Sequence, residues 1–319
     1  MKWENVLFRK PESYKAEPDT LKLSSHWYQL FRVARQVLQK KLRTISEQLR
    51  SGLSLVILTG AFLGLAPVAC GQIDVSTIIQ RSVEANAADW NAAPEYDCFE
   101  RDAQPDGGSK TYEDLMIMGS PYQKLIAVNG RPISSEQQQQ EQRKLDAALA
   151  KRRGESEQER SDRIANFEKD RKRDQQLMDQ LVKAFDFSLI GQQKLDGFDV
   201  YVLKATPKRG YRPPNMDTQV LKGMHGKLWI DKKTFQWVRV EAEVIHPVSI
   251  EGFVAQVEPG TRFELEKTPI EDGKVWLAKH YSMRAKAKVL FLFDHKSEDD
   301  ETYFGYRKFA PIEATTAKK

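Results

Sequence analysis

The sequence predicts an α+β fold built on a curved antiparallel sheet. Strand patterns recur between turn signals over residues 96–309, and an amphipathic helix precedes them. A charged stretch of helix formers, residues 134–184, interrupts the strands. Most predicted strands are joined by short turns, which requires antiparallel neighbours. Roughly eight to ten such strands in sequence favour a curved sheet or partial barrel.

Charge is unevenly distributed along the 319-residue chain. The first 52 residues carry 11 Lys/Arg and 5 Asp/Glu, so the remainder of this +5 chain has a net charge of about −1. Binding to nucleic-acid phosphates needs a positively charged surface. A net charge of about −1 after residue 52 therefore argues against a nucleic-acid role. The hydrophobic fraction of 40% is typical of a globular protein with a core rather than a multi-span membrane protein.

An uncharged apolar run, Leu53–Ala69, follows several basic residues and ends in small ones. These are the parts of a secretory signal, and the run is slightly short for a membrane span of about 20 residues. We therefore interpret residues 1–71 as an N-terminal extension and signal peptide and expect export. The long segment before the run indicates a translation start assigned too far upstream or, alternatively, a cytoplasmic arm.

The end of the apolar run has two interpretations. Ala69-Cys70-Gly71 offers small residues for ordinary cleavage, whereas the same residues resemble a bacterial lipobox in which Cys70 is acylated. Pro67 stands where a lipobox prefers Leu, so both interpretations remain open. After either cleavage Cys98 has no partner in the chain, and no intramolecular disulfide is expected.

The first predicted element after the signal is an amphipathic helix. Asp74 is a candidate N-cap, and Val75, Ile78, Ile79 and Val83 fall on one face at helical spacing. The pattern ends before Pro94. One side of this helix is therefore expected to be buried.

The strands that follow are separated by turn signals. The predicted turns are Asp106-Gly107-Gly108, Asn129-Gly130, Asp196-Gly197, Asp231–Thr234 and Glu271-Asp272-Gly273. Along Trp237–Val244 two sets of side chains alternate without interruption, which predicts one solvent-exposed face and one buried face. The buried face would include Val238 and Val240. The acidic run Glu298–Glu301 lacks the ligand spacing of a calcium loop, and we interpret it as a solvated turn.

Residues 134–184 are rich in helix formers and mixed charge, with no proline and one glycine. Two helices broken near Gly154 are predicted, the second with an apolar stripe. The stripe consists of Leu177, Met178, Leu181, Val182 and Phe185. We interpret this stretch as a solvated helical insertion, with a partner-binding arm as the alternative.

Two segments carry a family resemblance: GKLWIDKKTFQWVRVEAEV at Gly226–Val244 and YFGYRKF at Tyr303–Phe309. With the preceding signal and helix, they resemble the LolA/LolB/RseB-like group of bacterial outer-membrane lipoprotein-sorting proteins. The resemblance covers roughly 72–309 without the insertion. It implies an unclosed β-barrel covered by helices, here a domain at 72–312 with a tail at 313–319, and an apolar hollow that holds acyl chains.

Large apolar residues of the predicted strands are the candidates for lining such a hollow, although each could equally be ordinary core. They are Phe99, Leu115, Ile117, Leu125, Phe187, Leu189, Trp229, Val238, Val240, Leu265 and Leu277. Ile78, Ile79 and Val83 are the candidates for a lid helix.

Motifs for enzymatic chemistry are weak or missing. The chain has no phosphate loop, G-x-S-x-G elbow or H-E-x-x-H motif, and its five histidines are scattered. His280 and Cys98 fit strand positions better than catalytic ones. The sequence thus predicts a non-enzymatic protein without metal or cofactor, and a hydrolase is the least favoured alternative.

The function expected from these observations is binding of lipid or lipoprotein acyl chains, as carrier or receptor. The protein would be periplasmic or associated with the outer membrane, peripherally or through a lipid anchor. The alternative is an envelope sensor or interaction module that binds a protein partner through the helical insertion.

Overall fold

The computed structural model describes residues 74–104, 106–250, 255–289 and 293–309, which form three helices and thirteen strands. The predicted signal Leu53–Ala69, the candidate acylation site Cys70 and the tail 313–319 lie outside the described residues. Of the three helices described, none is long and apolar enough to cross a membrane.

The helices are α1 (Val75–Ala92), α2 (Ser135–Arg153) and α3 (Glu157–Ala184). The strands are β1 (Tyr96–Ala103), β2 (Ser109–Ile117), β3 (Ser120–Val128), β4 (Arg131–Pro132), β5 (Phe185–Leu195), β6 (Phe198–Pro207), β7 (Met224–Asp231), β8 (Trp237–Val244), β9 (Val248–Ile250), β10 (Ala255–Val257), β11 (Arg262–Ile270), β12 (Val275–Val289) and β13 (Phe293–Lys308). Short 3-10 turns lie at Ala93–Glu95, Gln219–Gly223 and Glu271–Gly273.

The strands form one antiparallel sheet in the order β4-β3-β2-β1-β13-β12-β11-β8-β7-β6-β5, with β9 and β10 attached to β12. The two end strands, β4 and β5, do not pair with each other in the described part of the chain. The sheet is therefore unclosed, which confirms the predicted α+β fold.

Two of the predicted turns show why glycine follows Asn or Asp in the sequence. Asn129 and Gly130 have φ angles of 51° and 70°, and Asp196 and Gly197 have 50° and 88°. A two-residue hairpin turn of this kind needs positive φ at both positions. The turns consequently fix the register of β3 on β4 and of β5 on β6.

The helical insertion joins the two edges of the sheet. The chain leaves the sheet at β4, passes through α2 and α3, and re-enters at the opposite edge as β5. The predicted break near Gly154 is confirmed, because α2 ends at Arg153 and α3 begins at Glu157. The insertion helices are largely exposed, and residues 134–184 also connect β4 to β5 and contact the sheet.

Both insertion helices begin with a reciprocal capping box. The hydroxyl of Ser134 accepts from the backbone N–H of Gln137, whose side chain accepts from the N–H of Ser134. Ser156 and Glu159 repeat the arrangement at the start of α3. Two of the orphan N–H groups at each helix start are thereby satisfied, which sets where each helix begins.

The insertion is anchored to the β2–β3 turn by the fully buried Arg152. Its guanidinium donates to the carbonyls of Ile117 at 2.7 Å, Ser120 at 2.9 Å and Pro121 at 3.0 Å. A buried cation is tolerated only when it is well hydrogen-bonded, and these three carbonyls meet that requirement.

The first turns of α3 contact the same hairpin turn. Arg163 donates to the Met118 carbonyl at 3.2 Å and the Ser120 hydroxyl at 2.7 Å, and forms a two-pronged ion pair with Glu155. Ile164 lies so close to Gly119 that a Cβ there would be 2.9 Å from its Cδ1 atom. Both insertion helices are thus fixed to one hairpin.

A bulge in β8 breaks its predicted alternation. Trp229 pairs with Arg239 and Ile230 pairs with Trp237, so Val238 is an extra residue. Trp237 and Val240 belong to the largest apolar cluster, whereas Val238 belongs to a different one. The predicted common face for Val238 and Val240 is therefore wrong, because one inserted residue shifts the side-chain period.

The acidic run Glu298–Glu301 lies inside β13, so the predicted solvated turn is wrong. Across the strand pair, Arg284 donates to Glu298 at 2.6 Å and His280 lies 3.2 Å from Asp300. Cross-strand partners of this kind stabilise charged residues in a sheet.

Replacement of Arg152 by Met is expected to lower the free energy of unfolding by about 3 kcal/mol, because three buried carbonyls lose a charged donor. Urea unfolding of the purified protein measures the change. The matched control is Arg153→Met on the exposed neighbouring position, which should change stability by less than about 0.5 kcal/mol. Equal effects of the two variants would contradict the anchoring role.

Candidate functional site

The apolar side of α1 packs over one face of the sheet. Ile78 and Ile79 are buried, and Val83 is partly buried against the same cluster. Below them lie apolar residues of β5 to β8 and β11. We call this the lid face and define it by Phe187, Leu189, Leu203, Leu228, Val240 and Leu265.

Four of the predicted lining residues belong to the lid face: Phe187, Leu189, Val240 and Leu265. The three predicted lid residues lie over the same cluster. Helical spacing in α1 places Ile78, Ile79 and Val83, and period-two spacing in β5 places Phe187 and Leu189, since the β5 bulge comes only after Leu189.

Two other predicted lining residues, Trp229 and Val238, lie in a separate apolar cluster. Trp229 is on the opposite face of β7 from Leu228, because successive strand residues alternate. Val238 reaches that side through the β8 bulge. The structure therefore separates these two residues from the lid face.

Phe99 is also separated from the lid face. Its ring stacks on Phe304 with centroids 5.5 Å apart, and the guanidinium of Arg307 lies 5.3 Å from its centroid. Phe304 is 38% exposed. Phe99 thus belongs to a partly exposed aromatic and arginine stack rather than to a hollow.

The remaining predicted residues lie outside the apolar cluster beneath α1. Ile117 and Leu277 are buried, and Leu115 and Leu125 are partly buried. Leu115 and Ile117 are on the opposite face of β2 from Asp114. Ile117 instead contributes its carbonyl to the Arg152 anchor.

Polar residues, which the sequence did not single out, hold α1 on the sheet. The indole N–H of Trp237 donates to the Ser82 hydroxyl at 2.5 Å. Asp89 accepts from the Lys267 ammonium at 2.7 Å and from the backbone N–H of Trp276 at 2.9 Å. Burial lowers the pKa of Lys267, and the Asp89 carboxylate offsets part of that effect.

The lid face continues into a polar region. Direct cross-strand partners share a face, and Val240 pairs with Leu265, Leu265 with Tyr281, and Tyr281 with Glu301. Residues of β1, β2 and β13 extend this face. Its buried polar members, which we call the carboxyl–tyrosine cluster, are Cys98, Glu100, Asp114, Glu301 and Tyr303.

Hydrogen bonds connect the members of the carboxyl–tyrosine cluster. The Tyr303 hydroxyl donates to Glu301 at 2.5 Å, and the Cys98 thiol lies 3.8 Å from Asp114. The Gln123 amide donates to Glu100 at 3.2 Å. Three carboxyl groups thus lie within the sheet, which the sequence pattern of β1, β2 and β13 did not reveal.

Burial raises the pKa of the Asp114 carboxyl to about 6, and repulsion from Glu301 adds to the rise, while hydrogen bonds to Gln123 and Glu100 oppose it. Burial and nearby Glu100 and Glu301 also raise the pKa of Tyr303 well above its usual range. A pKa of about 6 keeps the Asp114 carboxyl protonated in mildly acidic solution, where an ordinary aspartate is already ionised.

The arrangement around Cys98 does not activate it as a nucleophile. Burial, with repulsion from Asp114, raises the pKa of the thiol far above its usual range, so the thiol stays protonated at neutral pH. His280 is adjacent to Tyr281 on β12 and therefore lies on the other face of the sheet. In the described ranges, His, Cys, Asp and Glu side chains form no group arranged to hold a metal ion.

No protein-family model and no curated protein matches the chain. Among solved structures, the chain is similar to an outer membrane lipoprotein-sorting protein domain from Vibrio parahaemolyticus. The identity is 12%, with 76% of this chain and 96% of that chain covered and a TM-score of 0.29.

Two further solved structures are similar to the chain. One is a DUF1329 family protein from Desulfovibrio piger, with 14% identity, coverage of 73% and 92%, and a TM-score of 0.27. The other is the MucA/MucB complex structure from Pseudomonas aeruginosa, with 11% identity, coverage of 74% and 99%, and a TM-score of 0.19.

The raised pKa of Asp114 predicts an unusual dependence of stability on pH. A carboxyl whose pKa is higher in the folded protein stabilises the fold below its ordinary value near 4, and this contribution is lost as pH rises through about 6. At about 1.4 kcal/mol per pH unit between the two values, the loss reaches about 3 kcal/mol. Asp114→Asn is expected to remove this loss and to be more stable than the parent at pH 8.

Urea unfolding at pH 4 to 8 measures the difference between parent and variant. Glu113→Gln is the matched control, because Glu113 is the neighbouring residue and its carboxylate is paired with Arg307 on the other face. Its replacement should not stabilise the protein at pH 8. A difference between parent and Asp114→Asn that is constant with pH would contradict the prediction.

Proposed function

We propose that the protein binds acyl chains of lipids or lipoproteins between α1 and the lid face, as a carrier or receptor in the cell envelope. The observation that supports the proposal is the apolar contact between the first half of an amphipathic helix and a broad apolar sheet surface. An acyl chain entering there would exchange the contacts of Ile78, Ile79 and Val83 for contacts of its own.

The expected affinity follows from the apolar area. Each buried methylene contributes about 0.8 kcal/mol, so ten methylenes contribute about 8 kcal/mol before the costs of association and of moving the helix. A Kd near 1 μM corresponds to about 8 kcal/mol net, so micromolar binding requires about 16 buried methylenes, whose gain of about 13 kcal/mol leaves about 5 kcal/mol for these costs. A partly buried sheet residue such as Leu189 would contact the chain directly.

A non-enzymatic role fits the chemistry of the site. The lid face carries apolar side chains, and burial raises the pKa of the Asp114 carboxyl, the Tyr303 phenol and the Cys98 thiol beside it. Acyl-chain binding requires only burial and shape, which these residues provide. No cofactor is needed for it.

Leu189→Asp is expected to weaken binding of the fluorescent apolar probe 1-N-phenylnaphthylamine at least tenfold, because it places a charge on the lid face. The matched control is Ile190→Asp on the adjacent residue, which is 50% exposed and should bind as the parent does. Fluorescence titration measures both, and native mass spectrometry of protein purified from membranes should show bound lipid. A parent protein that binds neither probe nor lipid would refute the proposal.

Such a lipid-free protein would favour the alternative, an interaction module that binds a protein partner through the helical insertion at 134–184. The insertion cannot be deleted to test this, since residues 134–184 connect the two edges of the sheet. Charge reversal on the exposed side of α2, for example Arg143→Glu with Lys144→Glu, leaves that connection intact.

Export is part of the proposal and has its own measurement. The mature protein is expected to begin at Cys70, acylated, or shortly after it, because Leu53–Ala69 has the features of a signal. Mass spectrometry of the N-terminal peptide distinguishes acylation from ordinary cleavage. A mature chain that retains Leu53–Ala69 would contradict export by this signal.

A further inference from the structure

Polar contacts hold only one half of α1. Within the part of the chain that the structure describes, the hydrogen bonds from α1 to other elements all fall between Ser82 and Trp90. The first half makes no such hydrogen bond: Val75, Ile78 and Ile79 meet the sheet through apolar side chains, and Arg81, at its end, lies over the Phe235 ring at 3.8 Å. The two halves of the helix are therefore held by different kinds of contact.

Arg171 of α3 makes the last polar contact along α1, at Trp90. Its guanidinium donates to the Trp90 carbonyl at 2.6 Å and lies 5.3 Å from the centroid of the Trp90 ring. Within a helix that carbonyl would accept from the N–H four residues later, but that residue is Pro94, which has none. Arg171 thus donates the hydrogen bond to the Trp90 carbonyl that Pro94 cannot donate.

The other end of α3 is fixed to the sheet edge. Arg163 is bound to the β2–β3 turn and Arg171 to the end of α1, two turns farther along the same helix. Farther on, Met178 and Leu181 pack against the cluster under α1, and the Tyr211 hydroxyl donates to Gln180 at 3.2 Å. The helix is tied down along its length.

We propose that α3 is a strap that, together with the sheet contacts of Ser82 and Asp89, clamps the second half of α1, so that the lid face opens by lifting of residues 75–80 about a hinge near Arg81 and Ser82. This inference rests on the proposed function for its consequence, the entry of an acyl chain. The contact of Arg171 with the end of α1 can be tested without any ligand. Loss of this charge-assisted hydrogen bond and ring contact should loosen residues 87–90, while Asp89 stays bound to Lys267.

Hydrogen exchange with mass spectrometry tests the proposal on the full chain. In the parent, the amides of 79–81 should exchange at least tenfold faster than those of 87–90. Arg171→Ala should raise exchange at 87–90 about tenfold, the size expected for one such hydrogen bond. The same variant should accelerate uptake of 1-N-phenylnaphthylamine. Lys172→Ala, on the adjacent exposed residue, is the control and should change neither.

Equal exchange in 79–81 and 87–90 of the parent would overturn the proposal, as would unchanged exchange at 87–90 in Arg171→Ala. If the alanine variant does not fold, Arg171→Gln keeps donors without the charge and gives the same comparison. If neither the parent nor any variant binds the probe while hydrogen exchange responds as expected, the result contradicts the proposed function but supports the role of α3 as a strap.

Discussion

The hydrogen-bonded guanidinium of Arg152 fixes the course of the chain between the two edges of the sheet. A buried cation that loses its acceptors is strongly unfavourable, so the end of α2 cannot move away from the β2–β3 turn. Arg163 then fixes the start of α3 on the same turn, and the direction of α3 toward α1 and β5 follows. The helix over the lid face is consequently held by an element that begins at the far edge of the sheet.

Local sequence signals were sufficient for the elements of the fold. Asn129-Gly130 and Asp196-Gly197 specify hairpin turns through their own backbone preferences, whatever surrounds them. Ile78, Ile79 and Val83 could be placed over the sheet because helical spacing identifies a buried stripe. These predictions depend on residues a few positions apart, and they survive because tertiary contacts agree with them.

The rest of the candidate site depends on information that spacing does not carry. The bulge at Val238 moves one valine to the opposite side of the sheet, and its cause lies in pairing with β7. Phe99 was placed in the hollow although its ring lies against Gly305, where any Cβ would be 2.7 Å away. Glu301 is predicted in a solvated turn and no sequence pattern singles out Asp114, because only the pairing of β1, β2 and β13 buries them.

The middle of the sheet is formed by the two ends of the described chain. Tyr96 of β1 pairs with Lys308 of β13, so this ladder requires closure of a loop of more than two hundred residues. Long-range pairing of this kind slows folding, because closing the loop costs chain entropy before the stabilising contacts between the strands have formed. A polypeptide with this strand order cannot complete its sheet during synthesis. The sheet stays incomplete until β13 is available to pair with both β1 and β12.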